Sequence, residues 1–98
     1  MTTWTLEEIR SRRQRILEIA SYWGARRVRL FGSLARGEAG PRSDVDFVVD
    51  FEPGRSLLDH GGLLMDLQDE LGCRIDVVSS RGMQGRFREH VEKEAVEL

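Results

Sequence analysis

The sequence predicts a small α/β (α+β) protein in which one mixed β-sheet is backed by helices. Three observations favour this fold class. Apolar residues recur at helical spacing in three segments, three short segments have the apolar composition of strands, and glycine or proline stands at most boundaries between them. With 98 residues, of which 40% are hydrophobic, the chain can build a single core, and we expect one domain over residues 1–98.

The first element is predicted to be an amphipathic helix over residues 5–23. Thr5 and Glu8 have the spacing of a capping box, and apolar residues recur at helical intervals after them. Gly24 ends the pattern, as a glycine beyond the last turn of a helix commonly does.

The next two strands are predicted on either side of a glycine-rich segment. Residues 27–31 alternate charged and apolar side chains, which is typical of a strand, and this strand leads directly into Gly32. A short helix over residues 33–36 should follow. Residues 37–42, which include a Gly-Pro pair, then form a loop that returns the chain to the second strand, Val45–Phe51.

The second half of the chain predicts a helix, a strand and another helix. Ser56 or Asp59 can cap a leucine-rich helix that stops at Gly72, although two adjacent glycines weaken its first turns. A third strand is expected over residues 74–78. A final helix with a frayed tail is expected over residues 83–98.

Two carboxylates at the start of the second strand carry the strongest chemical signal. Residues i and i+2 of a strand point to the same face, so Asp44 and Asp46 should project side by side. Such a pair repels itself unless cations hold it, and hard oxygen ligands favour Mg²⁺. Just ahead lies Gly32-Ser33, where a glycine allows close approach and the free N–H groups of a helix start attract anions. The pattern therefore predicts phosphate bound between this turn and a metal site.

Asp76 is a lone acid within the apolar third strand, where an unpaired buried carboxylate would be costly. It either lies in solvent at the strand end, pairs with an arginine, or faces a site at which a cation stabilises it. Asp50 shares the strand parity of the first two acids and is a rival, but it lies near the strand end, where solvent exposure is the simpler interpretation. His60 and His90 each lack a second ligand at metal spacing, which favours a surface or helix-end position for both.

Composition and charge narrow the class of partner and the compartment. A net charge of −2, from 15 basic and 17 acidic residues, and the absence of an aromatic stacking cluster in the sequence argue against direct binding of nucleic acid. The single cysteine, Cys73, excludes an internal disulfide and fits a reducing cytoplasm. The apolar runs are only a few residues long, so no membrane span is expected.

Several of these motifs together resemble the signature of the DNA polymerase β-like nucleotidyltransferase superfamily, and the compact chain resembles its minimal nucleotidyltransferase (MNT) proteins. The resemblance covers residues 27–78 by motif and the whole length by architecture, and it implies a polymerase β-like nucleotidyltransferase fold. The positions that carry it are Gly32-Ser33, Arg36-Gly37, Ser43-Asp44-x-Asp46 and Asp76.

The resemblance implies a two-metal transfer of a nucleotide monophosphate with release of pyrophosphate. Asp44 and Asp46 would bind both Mg²⁺ ions. Asp76 would bind the catalytic ion and help to deprotonate the acceptor hydroxyl. Gly32 and Ser33 would hold the β- and γ-phosphates of the donor, which in this superfamily is usually ATP.

Two further residues are assigned to nucleotide binding, each with an alternative role. Arg36 either touches phosphate or forms an ion pair with an acid such as Glu38 or Asp46. Ser43 is either a nucleotide ligand or a residue that shapes the turn ahead of Asp44. The sequence leaves both alternatives open.

The resemblance also implies a partner. The chain has no room for the helical domain that presents the acceptor in larger superfamily members, so the acceptor should belong to another protein. For MNT proteins this partner is a HEPN-domain toxin, on which a tyrosine hydroxyl receives AMP, with the MNT protein as antitoxin in a hetero-oligomer. The alternative is an antitoxin that neutralises its partner by binding alone, with a vestigial or regulatory nucleotide site.

Overall fold

In a computed structural model, which describes residues 4–38 and 44–98, the chain forms a four-stranded sheet with helices packed on both faces. This arrangement confirms the predicted fold class. No helix in these two ranges is long and apolar enough to cross a membrane. The elements are, in chain order, α1 (Leu6–Ser11), α2 (Arg13–Tyr22), β1 (Ala25–Phe31), β2 (Val45–Phe51), α3 (Leu57–Leu71), β3 (Ile75–Ser79), a 3₁₀ turn (Ser80–Gly82), α4 (Gly85–Glu94) and β4 (Val96–Glu97).

The sheet has the strand order β3-β2-β1-β4 and is mixed. β1 lies antiparallel to both β2 and β4, and β2 lies parallel to β3. All three predicted strands are present. β2 has the predicted bounds, whereas β1 begins two residues earlier and β3 lies one residue later than expected. Parallel pairing needs a long crossover between the strands, and α3 provides it.

The helix predicted over residues 5–23 is instead two helices, because the pattern breaks at Arg12. The predicted capping box is present, since Thr5 Oγ1 accepts from the Glu8 N–H and Glu8 Oε1 accepts from the Thr5 N–H. At the other end of α1, the Arg12 N–H bonds to the carbonyl three residues back at 3.0 Å, and the Ser11 hydroxyl donates to Glu8 O at 2.6 Å. These short-range bonds tighten the last turn and compete with the regular helical pattern.

α3 is confirmed, and both proposed capping residues serve it. Ser56 Oγ accepts from the Leu58 N–H, while the Asp59 carboxylate accepts from the Ser56 N–H at 2.9 Å. Gly72 ends the helix in the left-handed region, with φ +63°. The helix therefore has a local signal at each end.

The helix predicted over residues 83–98 is too long at both ends. α4 begins at Gly85, two residues after the predicted start, and ends at Glu94. Beyond α4 the chain turns back, so that Val96 pairs with Leu30 of β1 and the Leu98 N–H donates to Val28 O at 3.0 Å. Without this pairing β1 would leave an open sheet edge. The prediction of a frayed tail is therefore wrong, because this segment forms the fourth strand, β4.

The two faces of the sheet are covered differently. The main core lies between the sheet and α1, α2 and α3, and it includes Phe47 of β2. The opposite face carries α4 and a smaller cluster that includes Val48 and Val91. Since side chains alternate along a strand, the even-numbered residues of β2 face α4. This places Asp46 on the α4 side of the sheet, outside the main core.

Candidate active site

Three strands bring Phe31, Asp46 and Asp76 to the same level of the sheet. Phe31 of β1 is the register partner of Asp46 of β2, which is in turn the register partner of Asp76 of β3. Register partners on neighbouring strands lie about 5 Å apart and share a face. Asp44 lies directly before β2. The fold thus places Asp46 beside Asp76 on the neighbouring strand, with Asp44 just ahead of β2.

The Asp46 carboxylate lies in an environment that disfavours its charge. Burial raises its pKa most, and the negative charges of Asp76 and Asp44 raise it further, to about 6 from an ordinary value of 3.8. The charge of the Arg36 guanidinium lowers the pKa of Asp46, but by less than the other effects raise it. A bound cation would relieve this concentration of charge.

Asp44 is engaged in an ion pair with Arg74, whose Nε lies 3.4 Å from Asp44 Oδ1. The Arg74 side chain is 85% exposed, so the pair is weak. Within residues 4–38 and 44–98, no three Asp, Glu, His or Cys side chains are close enough together to hold a metal ion. The predicted metal ligands are therefore neighbours on the sheet whose carboxylates must converge further to share an ion.

Asp76 is exposed, so solvent accounts for an acid in an apolar strand, and it also lies beside Asp46. Two of the alternatives for Asp76 are thus compatible with the structure, namely exposure to solvent and a position at a cation site.

Asp50, the other candidate acid of β2, has a different partner. The buried Arg29, only 3% exposed, lies 3.8 Å from Asp50 Oδ1 and 3.4 Å from Glu92 Oε2. Asp50 therefore helps to neutralise a buried arginine.

Position 32 requires a glycine for two reasons, the backbone conformation and the close approach of Asp46. Its φ is +80°, a left-handed conformation that L side chains rarely adopt. A Cβ built on it would also collide with Asp46 Oδ2. The sequence predicted that this glycine lets a phosphate approach; the structure adds that it makes room for one of the acids.

The segment after β1 is a tight turn instead of the short helix predicted over residues 33–36. The Arg36 N–H bonds to Gly32 O at 3.2 Å, which closes one α-type turn. Gly37, in the left-handed region with φ +73°, ends it there. Leu34 is buried in the main core and anchors the turn. The N–H groups inside the turn are not used to close it, an arrangement that suits an anion.

The remaining predicted nucleotide ligands lie on or after this turn. Ser33 is half-buried and is the first residue inside the turn. Arg36 forms the ion pair that was one of its two alternatives, with its Nε 3.1 Å from Glu38 Oε2. Its Nη1 also lies 4.0 Å from Glu94 Oε2 at the end of α4. Ser43 falls outside the described residues.

Reasoning from sequence missed an aromatic cluster beside the acids. The Phe31 ring lies 5.7 Å from the Phe87 ring and 5.6 Å from the His90 ring, in edge-to-face geometry with both. His90 Nε2 in turn lies 2.6 Å from Glu94 Oε2. The spacing of Phe87 and His90 on a predicted helix was the available signal, but it does not say which strand the helix covers. By contrast, His60 Nε2 donates to a backbone carbonyl of β3 at 2.7 Å, a structural position.

Comparisons with known proteins bear on the chemistry of this site. A model of the nucleotidyltransferase domain family matches residues 8–98. The protein adenylyltransferase MntA of Thermococcus cleftensis is 40% identical over 101 residues, covering 98% of this chain and 98% of the relative. A solved structure assigned as a minimal nucleotidyltransferase superposes with a TM-score of 0.87 at 50% identity, covering 97% of each chain.

A more distant solved structure shares the fold. It is a complex of a tri-AMPylated HEPN toxin from Shewanella oneidensis with an MNT antitoxin. The matching chain superposes with a TM-score of 0.68 at 17% identity, covering 90% of this chain and 69% of that one. At this identity the likeness is one of fold alone.

Proposed function

This chain belongs to the nucleotidyltransferase domain family, in its minimal nucleotidyltransferase (MNT) branch, and on that premise we propose that it transfers AMP from ATP to a hydroxyl group of a HEPN-domain toxin. The observation that carries the proposal is the contact between the Gly32 turn and Asp46, with Asp76 on the next strand. A turn suited to phosphate lies directly against clustered carboxylates. Nucleotidyl transfer needs both within reach of one donor.

The acid cluster has the chemistry that Mg²⁺ requires. Its donors are carboxylate oxygens, which this ion prefers, and burial together with the charges of Asp76 and Asp44 raises the pKa of Asp46 to about 6. Asp44, Asp46 and Asp76 would hold two ions, with Asp44 leaving its weak pair with Arg74. When bound, the metal supplies positive charge that stabilises the transferring phosphoryl group.

The turn after β1 would hold the β- and γ-phosphates of ATP through Gly32 and Ser33. Arg36 is the member of this set that would have to leave an ion pair to reach the donor. Its pair with Glu38 lies at the surface, where such pairs contribute about 0–1 kcal/mol, so the guanidinium can move to a phosphate at little cost. Ser43, which precedes β2, would complete the nucleotide ligands.

Asp76 is suited to receive the acceptor's proton, because it is exposed and lies one strand away from Asp46. In the proposed step the acceptor oxygen, which we expect to belong to a tyrosine, attacks the α-phosphorus of ATP. The bond from that phosphorus to pyrophosphate breaks, and Asp76 takes the hydroxyl proton. The products are a side chain that carries AMP and free pyrophosphate.

The acceptor would reach the site within a hetero-oligomer of this protein and the toxin, in the cytoplasm. Two of the similar proteins support this. The relative from Thermococcus cleftensis is a protein adenylyltransferase, and the MNT antitoxin that shares the fold is bound to an AMPylated HEPN toxin. The proposed reaction involves neither a nucleic acid nor a membrane.

The proposal can be tested with ATP labelled at its α-phosphate, Mg²⁺ and a HEPN toxin encoded beside this protein. We expect label on the toxin with the wild-type chain, and a loss of about 100-fold or more with Asp46→Asn. Asp69→Asn is the matched control, because it removes an exposed acid from α3 and should transfer normally. Label that persists with Asp46→Asn would overturn the site. Toxin inhibition without label, surviving Asp46→Asn, would favour neutralisation by binding alone.

A further inference from the structure

An aromatic surface, here called the aromatic shelf and made of Phe31, Phe87 and His90, lies next to the acid cluster. The Phe31 ring contacts the other two edge to face, at centroid distances of 5.7 Å and 5.6 Å. Phe31 is also the register partner of Asp46, so the shelf begins one strand away from the acids. A flat part of a substrate that binds at the acids is therefore within reach of aromatic rings.

The shelf is accessible to a ligand. Phe87 is 43% exposed and the His90 side chain is 53% exposed. An apolar ring with that much exposed surface gains free energy when a ligand covers it. The His90 Nε2 lies 2.6 Å from the Glu94 carboxylate one turn further along α4. Partly exposed rings that pack against Phe31 form a surface on which another ring can stack.

The position of the shelf in the sheet indicates which substrate it meets. Gly32, the first residue of the phosphate turn, directly follows Phe31 in the chain. Asp76 lies on β3, two strands and about 10 Å from β1. The shelf is therefore on the donor side of Asp46, and the proton acceptor is on the other side. In the donor the nucleoside is joined through the α-phosphate to the phosphates that rest on the turn, so its base can reach the rings beside the turn.

We propose that the aromatic shelf stacks against the base of the donor nucleotide. The inference rests on the proposed nucleotidyl transfer and adds the residues that hold the base of the donor. Stacking tolerates different bases, because every nucleobase has a π-face. The shelf thus contributes affinity for the donor without discriminating strongly between adenine and guanine.

The test compares ATP with inorganic tripolyphosphate, which lacks the nucleoside, in calorimetric titrations of the full chain with Mg²⁺. Phe87→Ala should raise the Kd of ATP about tenfold and leave that of tripolyphosphate unchanged. Phe87→Trp should restore ATP binding, whereas Phe87→Leu, which is apolar but has no ring, should not. Tyr22→Ala is the control, because Tyr22 is a 73% exposed aromatic residue of α2 and should leave both constants unchanged.

Two results would overturn the inference. If Phe87→Ala weakens ATP and tripolyphosphate equally, the residue supports the structure and not the base. If ATP binding is unchanged, the shelf does not hold the donor, and a raised KM for the toxin would assign it to a ring of the acceptor. Failure of the proposed function is distinct from both, since the wild-type chain would then label no toxin, whatever its affinity for ATP.

Discussion

Gly32 and Asp46 are in contact across the β1–β2 pair, at a point where a side chain on residue 32 would displace the Asp46 carboxylate. The contact joins two parts of the candidate site, the turn that suits phosphate and the acid cluster. Their positions are coupled, so a change on one side is transmitted to the other. Catalytic groups must be held to within about 0.5 Å, which makes this coupling consequential for activity.

Gly32→Ala should therefore abolish transfer as well as destabilise the fold. It adds a Cβ to a residue with φ +80° and drives it against Asp46, so we expect about a 100-fold loss of toxin labelling and about 2–3 kcal/mol in the free energy of unfolding. Gly54→Ala is the matched control, with φ +88° but no described atom within 4 Å of a Cβ. It should cost about 1 kcal/mol and keep full activity. Equal labelling by the two variants would contradict the coupling.

The stability of the metal-free protein should fall as the pH rises through the titration of Asp46. The pKa of this group is about 6 in the folded protein against 3.8 ordinarily, so the folded state binds the proton more tightly and loses that advantage between about pH 4 and 6. Asp46→Asn lacks this group, so its unfolding free energy minus that of the wild type should increase by about 1–2 kcal/mol from pH 4 to pH 7.5. This gain is smaller than the full pKa shift implies, because Asp46 is partly exposed. Urea unfolding in EDTA measures this gain. A difference between the proteins that is constant with pH would refute it.

Binding of Mg²⁺ should weaken below pH 6 for a related reason. The ion needs the ionised carboxylate, so below the Asp46 pKa of about 6 it must displace a proton. We expect its Kd to rise about tenfold for each pH unit below 6 and to change little between pH 7 and 8. Calorimetry at three pH values, with a non-hydrolysable ATP analogue present, is the measurement. An affinity that is flat from pH 5 to 7 would argue against Asp46 as a ligand.

Arg74→Ala should strengthen Mg²⁺ binding, because it releases Asp44 from its ion pair. The pair is exposed, so the gain should be about two- to threefold in Kd. Arg81→Ala removes the same charge from the 3₁₀ turn at the other end of β3, and it separates the loss of the ion pair from the change in net charge. The same gain in both variants would show that only net charge matters.

Two adjacent glycines of α3 should respond to alanine with opposite signs. A Cβ on Gly61 would meet no described atom within 4 Å, so Gly61→Ala should stabilise the protein by about 0.5–1 kcal/mol through helix propensity. A Cβ on Gly62 would collide with the Trp23 indole, whose Nε1 donates to Asp66 Oδ2 at 2.7 Å. Gly62→Ala should therefore destabilise by about 1–3 kcal/mol. Urea unfolding followed by tryptophan fluorescence distinguishes the two, and stabilisation by both would contradict the packing of Trp23.

Elements with local signals at both ends could be predicted from the sequence almost to the residue. β2 is followed by a Pro-Gly turn, and α3 is framed by Ser56 and Gly72. The break between α1 and α2 could not be predicted, since Arg12 lies over the Trp4 ring and pairs with Glu70 of α3, contacts that exist only in the folded chain. β4 was missed because a two-residue strand depends on the open edge that β1 offers it.

The same distinction holds for the site. The acids and Gly32 could be proposed from the sequence because their spacing along the chain is informative. The aromatic shelf could not, because Phe31 and Phe87 belong to distant elements and meet only when α4 covers the sheet. The interpretation of Asp50 needed the buried Arg29, and no pattern in the sequence distinguishes that arginine from its exposed neighbours in β1.

The parallel pairing of β2 with β3 also has a consequence for folding kinetics. Asp46 and Asp76 are 30 residues apart in sequence and become neighbours only after α3 has crossed between their strands. Non-local pairings of this kind form slowly compared with helices. An ion held by both acids would thus recognise only the assembled sheet, and it would slow unfolding without speeding folding. Loading with metal would then select fully folded molecules before any encounter with a partner.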